Sequence, residues 1–362
     1  MPNGKQKREQ GLPFVTIMLP IRNEVDHIDT CIGRLLGQDY PAARMEIIVV
    51  DGMSDDGTRE RLSDLVASSG TVPIRVLDNP ERVVPPALNI AIRAARGDVI
   101  VRMDGHTTPA PNYVSASVAA IQESGAANAG GLIEPTGLTP MGAAVAVATR
   151  HPLGVGDARY RTGGKAGFVD TVPFGAFRRD VFERVGLFDE SMVRNQDSEM
   201  NVRIRRAGEG VYFDPEIRSV YTPRGDIRSL WRQYLQYGWW RVETLRRHPS
   251  SLRWRQVIPP VFVMAVLVLG ALAAVWSPAV VVWLGMVGSY LATITLVSYG
   301  QRSDSATTAQ IALAFVIVHC SWGLGFALNV LTAGRFPYRA RRPVVPLLPP
   351  RDNHAVGSVV DS

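Results

Sequence analysis

Met45-Glu46-Ile47-Ile48-Val49-Val50-Asp51 is, from Ile47 on, an apolar run that ends on a carboxylate. It lacks the alternation of a half-exposed strand, so it reads as a strand covered on both faces. Gly52-Met53-Ser54-Asp55-Asp56-Gly57-Thr58 follows as a polar turn into a helix over 57–69, which Ser54 and Asp56 are placed to cap. The same grammar extends to either side. Residues 14–20 (Phe-Val-Thr-Ile-Met-Leu-Pro) read as a strand and 26–38 as a helix. A short strand at 73–77 leads to a helix at 85–96 that stops at Gly97, and Asp98-Val-Ile-Val-Arg-Met-Asp104 is another strand. Such alternation predicts an α/β fold, Rossmann-like, with a mostly parallel sheet covered by helices. Asp51 and Asp104 both fall at the carboxyl ends of strands, where open α/β sheets bind ligands.

Beyond residue 110 the pattern is less regular. Helices are expected over 111–123, 179–186 and 196–207, and a loop rich in Gly, Arg and Thr over 150–170. Residues 257–276, 279–299 and 311–331 contain no Asp, Glu, Lys or Arg. Each is long enough to span about 30 Å of hydrocarbon. The expected organisation is a polar arm (1–13), a catalytic domain (14–250, with an interfacial segment near 226–250), three transmembrane helices (257–331) and an Arg/Pro-rich tail (332–362). The N-terminus has no apolar core of a signal peptide, which predicts a multi-pass membrane protein with its polar domain in the cytoplasm. Three spans put the C-terminus on the other side, whereas Arg335, Arg339, Arg341 and Arg342 favour the cytoplasm. A re-entrant or interfacial run would reconcile the two, and the sequence leaves this open.

Composition narrows the chemistry. The net charge is +6, and only Lys5, Lys7 and Lys165 among the 39 basic residues are lysines. Guanidinium groups suit phosphate, and a GC-rich coding bias is the plainer explanation of the arginines. No basic-aromatic module indicates nucleic acid. Cys31 and Cys320 form no metal-binding or disulfide framework. There is no G-x-G-x-x-G after a strand and no G-x-x-x-x-G-K-[ST] loop, which disfavours dinucleotide and ATPase chemistry.

The carboxylates that remain have readable roles. Pro20-Ile21-Arg22-Asn23-Glu24 and Asp51 lie at strand ends, where they can meet a base or ribose. Asp104-Gly105-His106 can turn a carboxylate and an imidazole towards one divalent ion, Mg²⁺ or Mn²⁺, since a cation bridging a diphosphate needs only one or two protein ligands. Gln196-Asp197-Ser198-Glu199 opens a helix. Its acidic groups are favoured there by the helix dipole, and a carboxylate so placed can also deprotonate an attacking hydroxyl. Gln236, Trp239, Trp240 and Arg241 suit either sugar stacking and diphosphate contact or a helix in the membrane interface.

Taken in order, Pro-x-Arg-Asn-Glu, Val-Asp-x-x-Ser-x-Asp-Gly-Thr, Ala-Arg-Gly-Asp-x-Ile-x-x-x-Asp-x-His and Gln-Asp-x-Glu resemble family 2 glycosyltransferases. The similarity is greatest to their membrane-anchored bacterial branch, which includes succinoglycan glucosyltransferases. It covers roughly residues 14–245. It implies a GT-A fold, a nucleotide-sugar donor, a lipid-linked or saccharide acceptor and inversion at the anomeric carbon. It also implies nucleoside binding at Pro20, Arg22, Glu24 and Asp51, metal at Asp104 and His106, and a base at Asp197. Gln196, Glu199, Gln236, Trp239, Trp240 and Arg241 fall on the acceptor and diphosphate side. His106 stands where the family usually has a second Asp, and Gln196 where it has Glu. The Gln-x-x-Arg-Trp of processive synthases is absent as such. A polyprenyl-phosphate sugar transferase and a catalytically silent membrane scaffold are the alternatives.

Overall fold

The computed structural model describes residues 11–335 except Ser69 and Arg224. Most of the expected arm and tail, with Arg339, Arg341 and Arg342, lies outside the described residues. The chain runs β1 (Val15–Ile21), α1 (Ile28–Leu36), β2 (Met45–Asp51), α2 (Thr58–Ala67), β3 (Ile74–Asp78), α3 (Val84–Ala94), β4 (Val99–Arg102), β5 (Thr107–Pro109), α4 (Tyr113–Ser124) and β6 (Asn128–Pro135). It continues through α5 (Pro140–Ala148), α6 (Pro152–Val155), α7 (Arg159–Thr162), β7 (Gly167–Phe168), β8 (Ala176–Arg178), α8 (Asp180–Val185), α9 (Gln196–Arg206) and β9 (Val211–Tyr221). Four long helices close it: α10 (Ile227–Arg247), α11 (Ile258–Ala273), α12 (Ser277–Gly300) and α13 (Thr308–Leu331).

One sheet organises the polar part, in the order β3-β2-β1-β4-β8-β6-β9-β5, with β7 against β9. Strands β3, β2, β1 and β4 are mutually parallel. Every residue of β1 and β2 is buried, as their largely apolar sequence requires, and the one charge inside them, Glu46, accepts from Thr16 and Arg96. The second half is mixed. β8 runs antiparallel to both β4 and β6, and β9 is parallel to β6 but antiparallel to β5 and β7. The segment 150–170 is not a plain loop: it holds α6, α7 and β7. Gly156 and Gly163, both at positive φ, end these two short helices.

Three helices are long and apolar enough to cross a membrane: Trp254–Ala273, Ser277–Gly300 and Thr308–Leu331. Exposed Trp254 and Trp276 bracket the first, as interfacial tryptophans do. α11 and α12 leave Val261, Leu267, Leu284 and Leu296 uncovered, which suits contact with lipid rather than water. α13 is half covered by protein. Its Ile311 and Phe315 join Val145 of α5, Leu230 of α10 and Ile294 of α12 in one cluster, so the polar and apolar parts share a core. Midway along α13, the His319 Nε2–H donates to the Leu153 carbonyl at 2.8 Å, and the Tyr290 hydroxyl donates to its Nδ1 at 3.0 Å. The segment after α5 is thereby pinned to the apolar helices.

The helix α10 was expected as an interfacial segment. It lies directly on α13, and glycines permit the approach. A methyl group at Gly238 would stand 2.0 Å from the Trp322 carbonyl oxygen, and one at Gly325 would stand 2.0 Å from that of Leu235. Gly238→Ala should therefore lower the melting temperature of the detergent-purified chain by several degrees, because overpacking at a backbone contact costs about 1–3 kcal/mol. Gly285→Ala, where nothing lies within 4 Å, is the matched control and should leave it unchanged or raised. Equal melting of the two variants would contradict this packing.

Candidate active site

The carboxyl ends of β1 and β4, the start of α9, the segment 152–174 and the faces of α10–α13 enclose a cavity of about 1200 Å³. Its centre is built on Arg102, the last residue of β4. A charged side chain in an otherwise apolar strand must find partners, and Arg102 is 2% exposed. Its guanidinium bonds Asp104 at 3.1 Å and also donates to the Asp197 carboxylate. The Phe174 ring lies over it at 5.4 Å. Phe174 itself has φ 50°, a rare value for a bulky residue, and its carbonyl accepts from the Tyr113 hydroxyl at 2.9 Å.

Asp197 lies in the first turn of α9, two residues after Asn195 at φ 61°. Asn is among the residues that tolerate this left-handed turn, and here its side chain donates to the Tyr237 carbonyl. Burial raises the Asp197 pKa above its ordinary value. Arg102 opposes the rise, Asp104 adds to it, and the net shift is upward. A carboxylate held ionised by one cation yet made more basic by burial is suited to accept a proton.

Asp104 and His106 both line the cavity. Gly105 between them lets the side chains of Ile21 and Glu24 come close, since a methyl there would meet Ile21 Cγ2 at 2.9 Å and Glu24 Cγ at 3.0 Å. His106 Nδ1 lies 3.0 Å from Glu24 Oε1. Among the described residues no group of three or more His, Cys, Asp or Glu could hold a metal unaided. Asp104 and His106 would supply two ligands to a divalent cation, within the one or two protein ligands that a diphosphate-bound ion needs.

Arg22, Glu24, Gln196, Gln236 and Arg241 face the same cavity, which therefore gathers eight of the residues anticipated from the sequence. Pro20 is a buried residue of β1. Asp51 is fully buried at the tip of β2, where it accepts from Ser54 N–H at 3.1 Å and from Arg59 at 2.9 Å. It shapes the turn from which Ser54 Oγ accepts the Asn23 N–H. Asp56 accepts from the Thr58 N–H at the start of α2. Trp239 and Trp240 pack with Met192 in the core.

Glu199 is buried too. Burial pushes its carboxyl up, but bonds from His248 and Arg203 outweigh this and hold it below the ordinary range. Arg206 donates to His248 Nδ1, so its Nε2–H is the donor to Glu199, at 2.9 Å. With Arg247 bonded to Asp189 at 3.1 Å, these contacts tie α9 and its flanks to α10. Sequence reasoning missed Arg102, Asp170 and Arg205, all on the cavity wall. For Arg102 the signal was there, a lone charge in Val-Ile-Val-Arg two residues before Asp104.

The model of the family described as "Glycosyl transferase family 2" matches residues 16–186. The succinoglycan biosynthesis protein ExoA of Rhizobium meliloti is 30% identical over 318 residues, covering 87% of this chain and 94% of that one. A Methanococcus voltae protein, named as a dolichyl N-acetyl-alpha-D-glucosaminyl phosphate 3-beta-D-2,3-diacetamido-2,3-dideoxy-beta-D-glucuronosyltransferase, is 25% identical over 74% of this chain and 86% of its own. Among solved structures, the mannosyltransferase PcManGT of Pyrobaculum calidifontis, in complex with GDP-Man and Mn²⁺, superposes with a TM-score of 0.60. It is 19% identical, and the match covers 90% of this chain and 92% of that one. The likeness confirms the GT-A fold.

The raised Asp197 pKa has a thermodynamic consequence. A carboxyl whose folded pKa exceeds its unfolded value contributes stability only while protonated, and that contribution is lost as pH rises through the folded pKa. Asp197→Asn, which cannot ionise, should melt at a higher temperature than the parent at pH 7. The difference should shrink as pH falls towards the ordinary value of 3.8. A variant that melts lower at pH 7 would mean that the Arg102 pair outweighs the cost of burial.

Proposed function

Since the chain belongs to glycosyl transferase family 2, we propose that this transferase moves one sugar from a nucleotide-diphosphate donor, UDP-linked in our reading, to a hydroxyl of a lipid-linked or saccharide acceptor. The reaction inverts the anomeric carbon, takes place at the cytoplasmic face of the membrane and serves cell-envelope or exopolysaccharide synthesis. One observation carries the reading: a single cavity is lined by Asp104, His106 and Asp197 at one end and by side chains of the three apolar helices at the other.

Arg22 and Glu24 bind the nucleoside, and Asp51 holds the neighbouring turn in place. Asp104 and His106 would hold a divalent cation, Mg²⁺ or Mn²⁺, that would offset charge on the leaving diphosphate when bound. Mn²⁺ in the PcManGT complex supports a divalent ion in general. Asp197 accepts the acceptor proton at its carboxylate as the hydroxyl attacks from the face opposite the leaving group. Arg102 aims that carboxylate and keeps it ionised. Gln196, Gln236 and Arg241 bound the acceptor side, while Glu199, Trp239 and Trp240 support it from within the protein.

The eight arginines on the cavity wall, against five carboxylates, favour one second reading, in which the acceptor is itself a polyprenyl phosphate that needs no strong base. Membranes containing the chain, incubated with a panel of radiolabelled nucleotide sugars and extracted, should pass label from a UDP-sugar to the lipid fraction. No transfer from any donor would refute the assignment. Asp197→Asn should reduce transfer by roughly 10²–10⁴ with UDP binding intact. A phosphate acceptor predicts only a partial loss, and a silent scaffold none. Asp104→Ala should abolish activity, and full activity of the parent in excess chelator would contradict the metal assignment.

A further inference from the structure

The three apolar helices are alike in composition and unlike in what covers them. On α11 and α12, Val261, Val268, Val281, Leu284 and Leu296 are each more than half exposed. The two helices pack as an antiparallel pair. The Trp283 Nε1–H donates to the Val266 carbonyl at 3.0 Å, and the Phe262 and Tyr290 rings lie 4.5 Å apart. Val275 and Trp276, at the turn between them, are exposed. On α13, by contrast, no residue from Ala314 to Asn329 is exposed.

The catalytic domain covers α13 from one end to the other. Near its start, Ile311 and Phe315 pack with Val145 and Ala148 of α5 and with Leu230 of α10. At its middle, His319 is bonded to the Leu153 carbonyl. Near its end, Leu328 packs against Met192, Trp239 and Trp240. There the Asn329 amide donates to the Trp239 carbonyl at 3.1 Å and to Glu243 at 3.0 Å, and Arg246 donates to the Asn329 carbonyl at 3.0 Å. A helix that crosses hydrocarbon takes its covering with it. A crossing by α13 would carry in α10 with Arg232, Arg241, Glu243, Arg246 and Arg247. Each charged side chain at the bilayer centre costs about 2.5–3.5 kcal/mol or more. It would also put α5 and Met192, two parts of one domain, at opposite faces of the membrane.

We propose that only α11 and α12 enter the bilayer, as a helical hairpin, and that α13 belongs to the catalytic domain and lies at the membrane surface. The surface that meets lipid is then the bare flank of the hairpin. Trp254–Ala273 and Ser277–Gly300 are 20 and 24 residues long, enough for about 30 Å of hydrocarbon. At the return end Arg302 stacks on the Tyr299 ring at 3.7 Å, a pairing suited to the interface. A hairpin brings the chain back to the side it left, so the catalytic domain, Arg302 and Arg335 share one side. This removes the conflict with the positive-inside bias that three crossings create. The proposal is independent of the transfer reading.

The test labels single added cysteines with a membrane-impermeant maleimide, in the full chain, in right-side-out and inverted membrane vesicles. Labelling of the parent, which has Cys31 and Cys320, is subtracted. Ser63→Cys on α2, Val275→Cys at the hairpin turn, Ser303→Cys before α13 and Arg335→Cys after it all replace exposed residues, so each variant should fold. Labelling in detergent checks that each thiol can be reached. Ser63→Cys, Ser303→Cys and Arg335→Cys should label from one face and lose labelling from the other, and Val275→Cys should show the reverse. Arg335→Cys labelled from the face opposite Ser303→Cys would mean that α13 crosses and would overturn the proposal. Val275→Cys labelled from the same face as Ser63→Cys would overturn the hairpin. No sugar donor enters the measurement, so a chain that transfers nothing would refute the transfer reading and leave this one standing.

Discussion

Everything in the site depends on one buried guanidinium. Arg102 ends β4, the strand that joins the parallel half of the sheet to the mixed half, with β1 on one side and β8 on the other. Placing a cation there demands compensation, and the two carboxylates that supply it are the proposed metal ligand Asp104 and the proposed base Asp197. A single side chain thus ties the end of β4 to the start of α9, and its charge opposes the rise that burial imposes on the Asp197 pKa.

A second constraint comes from the apolar helices. α13 is packed against α10 and α5 closely enough that glycines are needed at the crossing, and His319 is bonded to the catalytic part through Leu153. The apolar helices are therefore a wall of the active cavity and not only an anchor. Because α10 also clamps α9 through Arg241, Arg247 and His248, the helix bearing Asp197 is positioned by elements that themselves rest on the apolar helices.

The sequence made the parallel half legible because β1 and β2 are seven residues long, almost wholly apolar, and followed by polar turns. Asp51 and Asp104 were placed correctly at strand ends for that reason. The mixed half was hidden for physical reasons as well. β7 and β8 are only two and three residues long, and β6 contains Gly130 and Gly131 with a register shift between Gly130 and Leu132. Side-chain type gave chemistry but not depth. Arg22, Asp104, His106 and Asp197 face the cavity, whereas Asp51, Glu199, Trp239 and Trp240, equally suggestive as residues, are buried in supporting contacts.

The central claim is that donor, base and apolar helices meet in one cavity. A structure of the full chain with UDP and Mn²⁺, recorded at the manganese absorption edge, tests it most directly. The account predicts an anomalous peak at Asp104 and His106, with the diphosphate pointing towards Asp197. Manganese bound elsewhere, or a nucleotide whose diphosphate lies outside the cavity that Asp197 lines, would contradict it.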